Sequence, residues 1–488
     1  MKQSFKEFTG YTGSTRVVLF LLLFVVTYAH SLASSSFVTS SQSKFPTGQV
    51  IEKVMCQADA SQSYALYLPS NYSPEKSWPI LYGFDAGGRG NQPVELFHEA
   101  AEKYGWIVVG SNNSRNGPGV PLNEIIVALL QDTQARFAID ERRVYTTGMS
   151  GGARVASSVA IGLKDRIAGV IACGAGFPYA KTPQKDMRFA YFSIAGIEDF
   201  NLLELRQLEE PLTKAGMTHQ LLTFDGEHTW PPKAILLEAV EWMEAQAIKS
   251  GRTTNEKARV TELYAQGLSR AKQFEAPGNL YDAWLRYRIL SDAFNGLGVV
   301  DEVVTSAQRL LSAKDVQTMT AQLKAADRQQ ENRSNEISSL LQTMDSAETQ
   351  MQALANAKSM SAELRKKADD EKRSTDRIVA RRLMTQFSIT LSEEANNAMY
   401  QKNFNKAASF LTLAVEIRPN NPQSWYRLAS AQAQSGKKKP AIESLKRAVE
   451  NGFADGARLE QAPEFSTLRQ EQEFQALIKQ LKNPTPAN

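Results

Sequence analysis

Residues 148–152 read Gly-Met-Ser-Gly-Gly, with Ser150 at the centre. A serine hydroxyl attacks a carbonyl carbon only when it is held exposed beside a base. A G-x-S-x-G turn between a strand and a helix does that holding, because its glycines allow the sharp bend that lifts Oγ clear of the backbone. Arg143–Thr147, β-branched and aromatic, predicts a short strand before the turn, and Ala153–Leu163, rich in Ala and Val, predicts a buried helix after it. The base has to be a histidine, and the chain has four. His30 lies near the N-terminus, His98 falls in a helical stretch upstream of the serine, and His219 begins a strand-like run. His228 alone follows a strand end, in Phe224-Asp225-Gly226-Glu227-His228-Thr229-Trp230.

In the order serine, acid, histidine, the acid is sought after the strand predicted at Phe189–Ala195, where the chain continues Gly196-Ile197-Glu198-Asp199. Asp199 is the first candidate and Glu198 the second. Asp225 is too close to His228 in sequence to reach the far side of its ring. Without chemistry, Asp199 reads as an N-cap for the helix from Leu202. An acyl-transfer site also needs two backbone N–H groups for the oxyanion. Gly151 supplies one, and Ala86 or Gly87 the other, from the glycine-rich loop Phe84–Gly90. That loop lacks the Lys-Ser/Thr of a phosphate-binding loop. Asp85 beside it opposes a developing negative charge if it points inward, and braces the loop, with Arg89, if it points away. The loop Ser111–Pro118 follows another predicted strand at the end where such sheets bind ligands. Arg115, Asn116 and Asp85 are therefore candidate substrate contacts, Arg115 for an anionic group. The plain alternative is a polar surface loop.

The elements that position these residues alternate. Strands are predicted at Tyr64–Leu68, Trp78–Phe84, Trp106–Gly110, Ala168–Cys173, Phe189–Ala195 and Gln220–Phe224, and helices at Pro93–Tyr104, Leu122–Phe137 and Leu202–Lys214, with a last helix opened by Pro231-Pro232. Such alternation gives a mostly parallel sheet with helices on both faces. Residues 46–249, and Ile139-Asp140-Glu141-Arg142-Arg143-Val144-Tyr145-Thr146-Thr147-Gly148-Met149-Ser150-Gly151-Gly152 above all, resemble the α/β-hydrolases of the polyhydroxybutyrate depolymerase and feruloyl esterase type. The resemblance implies an eight-stranded, mostly parallel sheet and ester hydrolysis through an acyl-enzyme without cofactor. It also implies Ser150 as nucleophile, His228 as general base and Asp199 as acid. Members usually carry His-Gly where this chain has Asp85-Ala86.

A polar linker is expected at 250–255 and only helices after it: a helical region at 256–320, long charged helices at 321–387, and a cap and tail at 456–488. Between them, Ala395, Ala407, Leu411 and Ala414 recur as Ala429, Ala441, Leu445 and Ala448, with Ala407 and Ala441 lying 34 residues apart. Residues 388–455 thus resemble two tetratricopeptide repeats, and the helices from Asn255 to Leu311 are read as a diverged partner of that array. Ile337, Leu340, Met344, Ala347, Met351 and Leu354 follow a heptad-like spacing, which suits a coiled coil, a long packed helix or an antiparallel hairpin. The fold class expected is an α/β hydrolase followed by an all-α helical-repeat domain.

The N-terminus reads as an export signal at 1–33, with Lys2, Lys6 and Arg16 before the apolar run Val17–Val26 and small residues after it, then a Ser-rich lead-in at 34–45. The run is too short to span a bilayer, so an exported (periplasmic or extracellular) protein without stable membrane insertion is expected. A net charge of +4 over 488 residues gives no footprint for nucleic acid. Cys56 and Cys173 read as buried thiols, and no metal-ligand cluster is discernible. Two functions remain. One is an exported serine esterase, acting on a small or polymeric ester, whose repeats bind a protein partner or a second copy. The other is an interaction protein on a weakly catalytic scaffold. A serine peptidase on the same fold would use the same triad.

Overall fold

The structure, a computed structural model, describes residues 45–298, 300–343 and 347–482. The export signal and all of the lead-in before Phe45 lie outside the described residues. The chain forms two compact units, the first running to Lys324 and the second from Ala325.

The first unit is built on eight strands: β1 Val50–Met55, β2 Ser63–Tyr67, β3 Trp78–Asp85, β4 Ile107–Ser111, β5 Ile139–Met149, β6 Gly169–Cys173, β7 Ala190–Gly196 and β8 His219–Phe224. Their order across the sheet is β1-β2-β4-β3-β5-β6-β7-β8. All pairs from β4 to β8 are parallel, while β2 runs antiparallel to both β1 and β4. This is the α/β-hydrolase sheet. The centre reads as continuous apolar runs, and β3, β4, β6 and β7 are buried along their whole length, because helices cover both faces. The strand period of two divides the side chains. Leu81, Val108 and Phe192 enter one core with helices α1 (Asn91–Tyr104) and α5 (Lys233–Lys249). Ile80, Tyr82, Val109 and Tyr191 enter the other with α2 (Leu122–Arg136) and α3 (Gly151–Leu163). Helix α4 (Leu202–Lys214) follows β7.

The unit does not stop at the expected linker. Helices α6 (Lys257–Glu275), α7 (Leu280–Phe294) and α8 (Asp301–Leu311) contribute Leu263, Ala283, Leu290 and Val303 to the same core as α5. The reading of 255–311 as a partner of the repeats is therefore corrected. A row of glutamates on α5 faces these helices. Glu238 pairs with Arg286 at 2.9 Å, Glu241 with Arg270 at 2.8 Å, and Glu244 with Arg143 and, at 3.4 Å, Arg259. Burial pushes the Glu238 carboxyl up, against the pull of Arg286 and Arg270. Buried carboxylates demand such partners; Lys103 of α1, 3.3 Å from Glu241, and Arg143 lie in the hydrolase sheet region, and Arg259, Arg270 and Arg286 come from α6 and α7. The polar stretch is itself tied back, Arg252 Nη1 donating to the Arg142 carbonyl at 3.0 Å.

The second unit is helical throughout its described residues. It holds most of α9 (Lys314–Thr343), then α10 (Ala347–Ala368) and α11 (Thr375–Tyr400). Arg333 on α9 pairs with Glu363 on α10 at 3.1 Å. The heptad-like row is divided between two helices. Met344 lies outside the described residues, as does the Ala347 side chain, and Met351 is 83% exposed. Helices α12 (Phe404–Ile417), α13 (Pro422–Gln434) and α14 (Lys438–Glu450) follow. Ala395 and Ala407, and their counterparts Ala429 and Ala441, are buried, the small residues that let paired helices pack closely. Asn421 caps α13, accepting from the N–H of Ser424 at 3.2 Å, with Pro422 in the first turn. Leu459, Phe465 and Phe474 of the tail close the core of α13 and α14.

Candidate active site

Ser150 stands between β5 and α3 with φ 57° and ψ −120°. This backbone conformation costs a non-glycine residue about 1–3 kcal/mol and persists only where the surroundings impose it. They do so here. Ser150 N–H donates to the Cys173 carbonyl at the end of β6 at 2.8 Å. A methyl group on Gly152 would lie 2.0 Å from the Phe84 carbonyl oxygen, so only glycine lets α3 start this close to β3. Ser150 Oγ does not cap the helix it opens, which leaves it available for chemistry.

Asp199 and His228 come together. Asp199 follows β7, and its Oδ1 lies 2.8 Å from His228 Nδ1, in the loop after β8. The Asn201 N–H also donates to Oδ1, at 2.8 Å. Asp199 holds the loop before α4 through its side chain while facing the histidine. The glycine at 196 lets the two loops meet, and Glu198 N–H donates to the Gly226 carbonyl at 2.9 Å. Phe200 covers the imidazole, ring centres 4.5 Å apart. Glu198, the second candidate, is not the histidine's partner. No hydrogen bond joins Ser150 Oγ to the His228 ring among the described residues.

In the loop after β3, Asp85 takes the bracing alternative, with Arg89, and this occupies two of the candidate residues, Asp85 and Gly87. The Asp85 carboxylate is 1% exposed and faces into its own loop. It accepts from Gly87 N–H at 2.8 Å, from Arg89 Nε and Nη2 at 2.9 Å each, and from Trp230 Nε1 at 2.9 Å. Burial alone would raise this carboxyl, but the hydrogen bonds from Arg89, Trp230 and Gly87 outweigh it and hold it below the ordinary range. Asp85 is therefore not placed as a substrate contact, since its lone pairs are occupied. Gly87 N–H is likewise spent on Asp85. Outside the helix and strand ladders, no hydrogen bond takes the N–H of Ala86 or Gly151 among the described residues, so these two candidates remain open.

Asn116 and Arg115 lie against this loop. Asn116 N–H donates to the Ala86 carbonyl at 2.8 Å, and a methyl group on Gly151 would lie 1.9 Å from Asn116 Oδ1. Asn116 thus lies against both Ala86 and Gly151. Arg115 bridges Gly87 in the backbone, is exposed, and makes no ion pair among the described residues. Sequence reasoning did not assign Trp230, Phe200 or Cys173 to the site. The one readable signal was Asp85 itself, a carboxylate at the end of an apolar strand that needs a donor from elsewhere. Cys56 and Cys173 are free and buried, burial pushing the Cys56 thiol up to about 11. Among the described residues no helix is long and apolar enough to cross a membrane.

A tetratricopeptide-repeat family model matches residues 422–451, the pair α13 and α14. Among solved structures, a ferulic acid esterase aligns at 18% identity with a TM-score of 0.35, over 41% of this chain and 99% of its own. An S-formylglutathione hydrolase from Agrobacterium tumefaciens aligns at 15% and 0.33, over 40% and 94%. A fluorophosphonate-binding serine hydrolase from Staphylococcus aureus aligns at 12% and 0.34, over 40% and 98%. No curated protein matches by sequence.

Proposed function

We propose that the first unit is a serine hydrolase that cleaves carboxylic esters through an acyl-enzyme on Ser150, and that the helical repeats serve protein association. The observation that carries this reading is the strained Ser150 backbone at φ 57°, on the same sheet edge as a buried Asp199–His228 pair at 2.8 Å. A merely structural serine gains nothing from such strain.

In this reading Asp199 holds His228 with Nδ1 protonated, so that Nε2 is the basic nitrogen. Ser150 Oγ attacks the ester carbonyl as its proton passes to Nε2, the contact closing when substrate is bound, as such contacts commonly do. The oxyanion takes hydrogen bonds from the N–H groups of Gly151 and Ala86, with the positive end of α3 behind Gly151. Collapse expels the alcohol, which leaves with the proton from Nε2, and water then cleaves the acyl-enzyme by the same steps. Arg115 favours an acyl or alcohol part that bears a negative charge.

Hydrolysis of p-nitrophenyl acetate by the wild type and by Ser150→Ala tests this. The reading expects turnover that falls by about a thousandfold or more in the variant. Equal rates in the two proteins would overturn it. We also propose export, on the support of the apolar run Val17–Val26, and intact-mass analysis of secreted protein should find the chain beginning after residue 31 or 33.

A further inference from the structure

The Asp85 carboxylate joins two loops that carry different parts of the site. Ala86, an oxyanion donor, follows it directly. Trp230, which donates to Asp85 Oδ2 at 2.9 Å, lies two residues after His228. Between β3 and β7 stand β5 and β6, a span of about 14 Å at ~4.8 Å per strand. His228 begins this span beside β7, where Asp199 holds it. Trp230 ends it at β3. Ser150 directly follows β5, one of the strands between them. The segment 228–230, bent at His228 and Thr229, thus has an anchor at each end, Asp199 on His228 and Asp85 on Trp230.

We propose that Asp85 is a positioning residue, which through Trp230 holds His228 over Ser150 and through its own loop aims the Ala86 N–H. The proposal rests on the serine-hydrolase reading above. The charge is tolerated beside an oxyanion because both carboxylate oxygens are turned into the loop. Oδ1 is taken by Gly87 and Arg89, and Oδ2 by Arg89 and Trp230. An aspartate does here what a neutral residue cannot. It accepts four hydrogen bonds at once, two of them from a guanidinium that supplies the compensating charge.

The test uses the full-length protein and two conservative variants. Trp230→Phe keeps the ring and removes only the N–H, and Asp85→Asn keeps the shape and removes the charge. With p-nitrophenyl acetate, Trp230→Phe is expected to lower kcat by about tenfold or more with KM little changed, since a small misplacement of a catalytic group can cost up to about a hundredfold. The double variant should be no worse than Asp85→Asn alone, because both break one tether. Melting temperature serves as the control for folding. Should Asp85→Asn fail to fold, Trp230→Phe alone decides. An unchanged kcat in Trp230→Phe, or strictly additive losses in the pair, would overturn the proposal. A wild type with no Ser150-dependent turnover would instead sink the reading beneath it. In that case hydrogen exchange across 225–231 still decides the tether, which predicts faster exchange in Trp230→Phe and is overturned by equal rates.

Discussion

Asp199 Oδ1 and His228 Nδ1 lie 2.8 Å apart with 0% and 7% of their side chains exposed. The second carboxylate oxygen, Oδ2, is buried and has no hydrogen-bond partner among the described residues. The histidine is therefore the one side chain that this carboxylate orients. Asp199→Asn presents an amide that cannot hold the Nδ1-protonated tautomer, and kcat should fall by about 10⁴. Glu198→Gln, beside it, should stay within a few-fold of wild type. Steady-state kinetics on the two variants check this, and equal losses would refute the assignment.

The loop after β6 is packed against that free oxygen. Gly174 has φ 61°, and a Cβ there would lie 2.6 Å from Met149 Cε and 2.9 Å from Asp199 Oδ2. Gly174→Ala should cost about 1–3 kcal/mol of stability from backbone strain and lower kcat further by pushing Asp199 off His228. A urea midpoint and kcat measured on the same variant separate the two effects. A stability loss with unchanged kcat would mean that Asp199 is not held as described.

A chain truncated after residue 252 should be much less stable than one truncated after Lys324. Removing α6 and α7 strips Glu238 of both Arg286 and Arg270, while Glu241 keeps Lys103, and an uncompensated buried charge costs about 3–5 kcal/mol. Denaturant unfolding of both chains checks it. Equal midpoints would contradict the shared core.

The Asp85 carboxyl is held below its ordinary value by the hydrogen bonds that outweigh its burial. A depressed folded-state pKa adds stability above the unfolded value, about 4, and that stability is lost as pH falls through the lower folded value. The stability gap between the wild type and Asp85→Asn should accordingly be constant from pH 7 to about 5 and shrink below that. Unfolding midpoints across this range are the measurement. A gap that widens on acidification would reverse the sign.

The nucleophile turn and the histidine pairing were legible in the chain because each rests on local order. A G-x-S-x-G between strand and helix has few other uses, and three of the four histidines fall near the N-terminus, in a helix or at a strand start. Strand ends shifted by a residue, as at β4, because burial rather than composition decides where pairing stops. What stayed hidden depends on distant partners. Trp230 and Asp85 are 145 residues apart, and no spacing rule joins them. The fate of Gly87 N–H follows from the direction Asp85 turns, which the sequence reading left open between inward and away. The docking of α6 and α7 had a signal, Glu238, Glu241 and Glu244 at every third position of an otherwise apolar helix. Three carboxylates on a buried helix require cations from elsewhere, and the arginines of 256–290 were the nearest supply.

An activated Ser150 nucleophile reacts with a fluorophosphonate probe. Stoichiometric labelling is expected that maps to the peptide containing Ser150, is absent in Ser150→Ala, and is slowed in His228→Ala. Absence of labelling in the folded wild type, or labelling that survives Ser150→Ala, would contradict it.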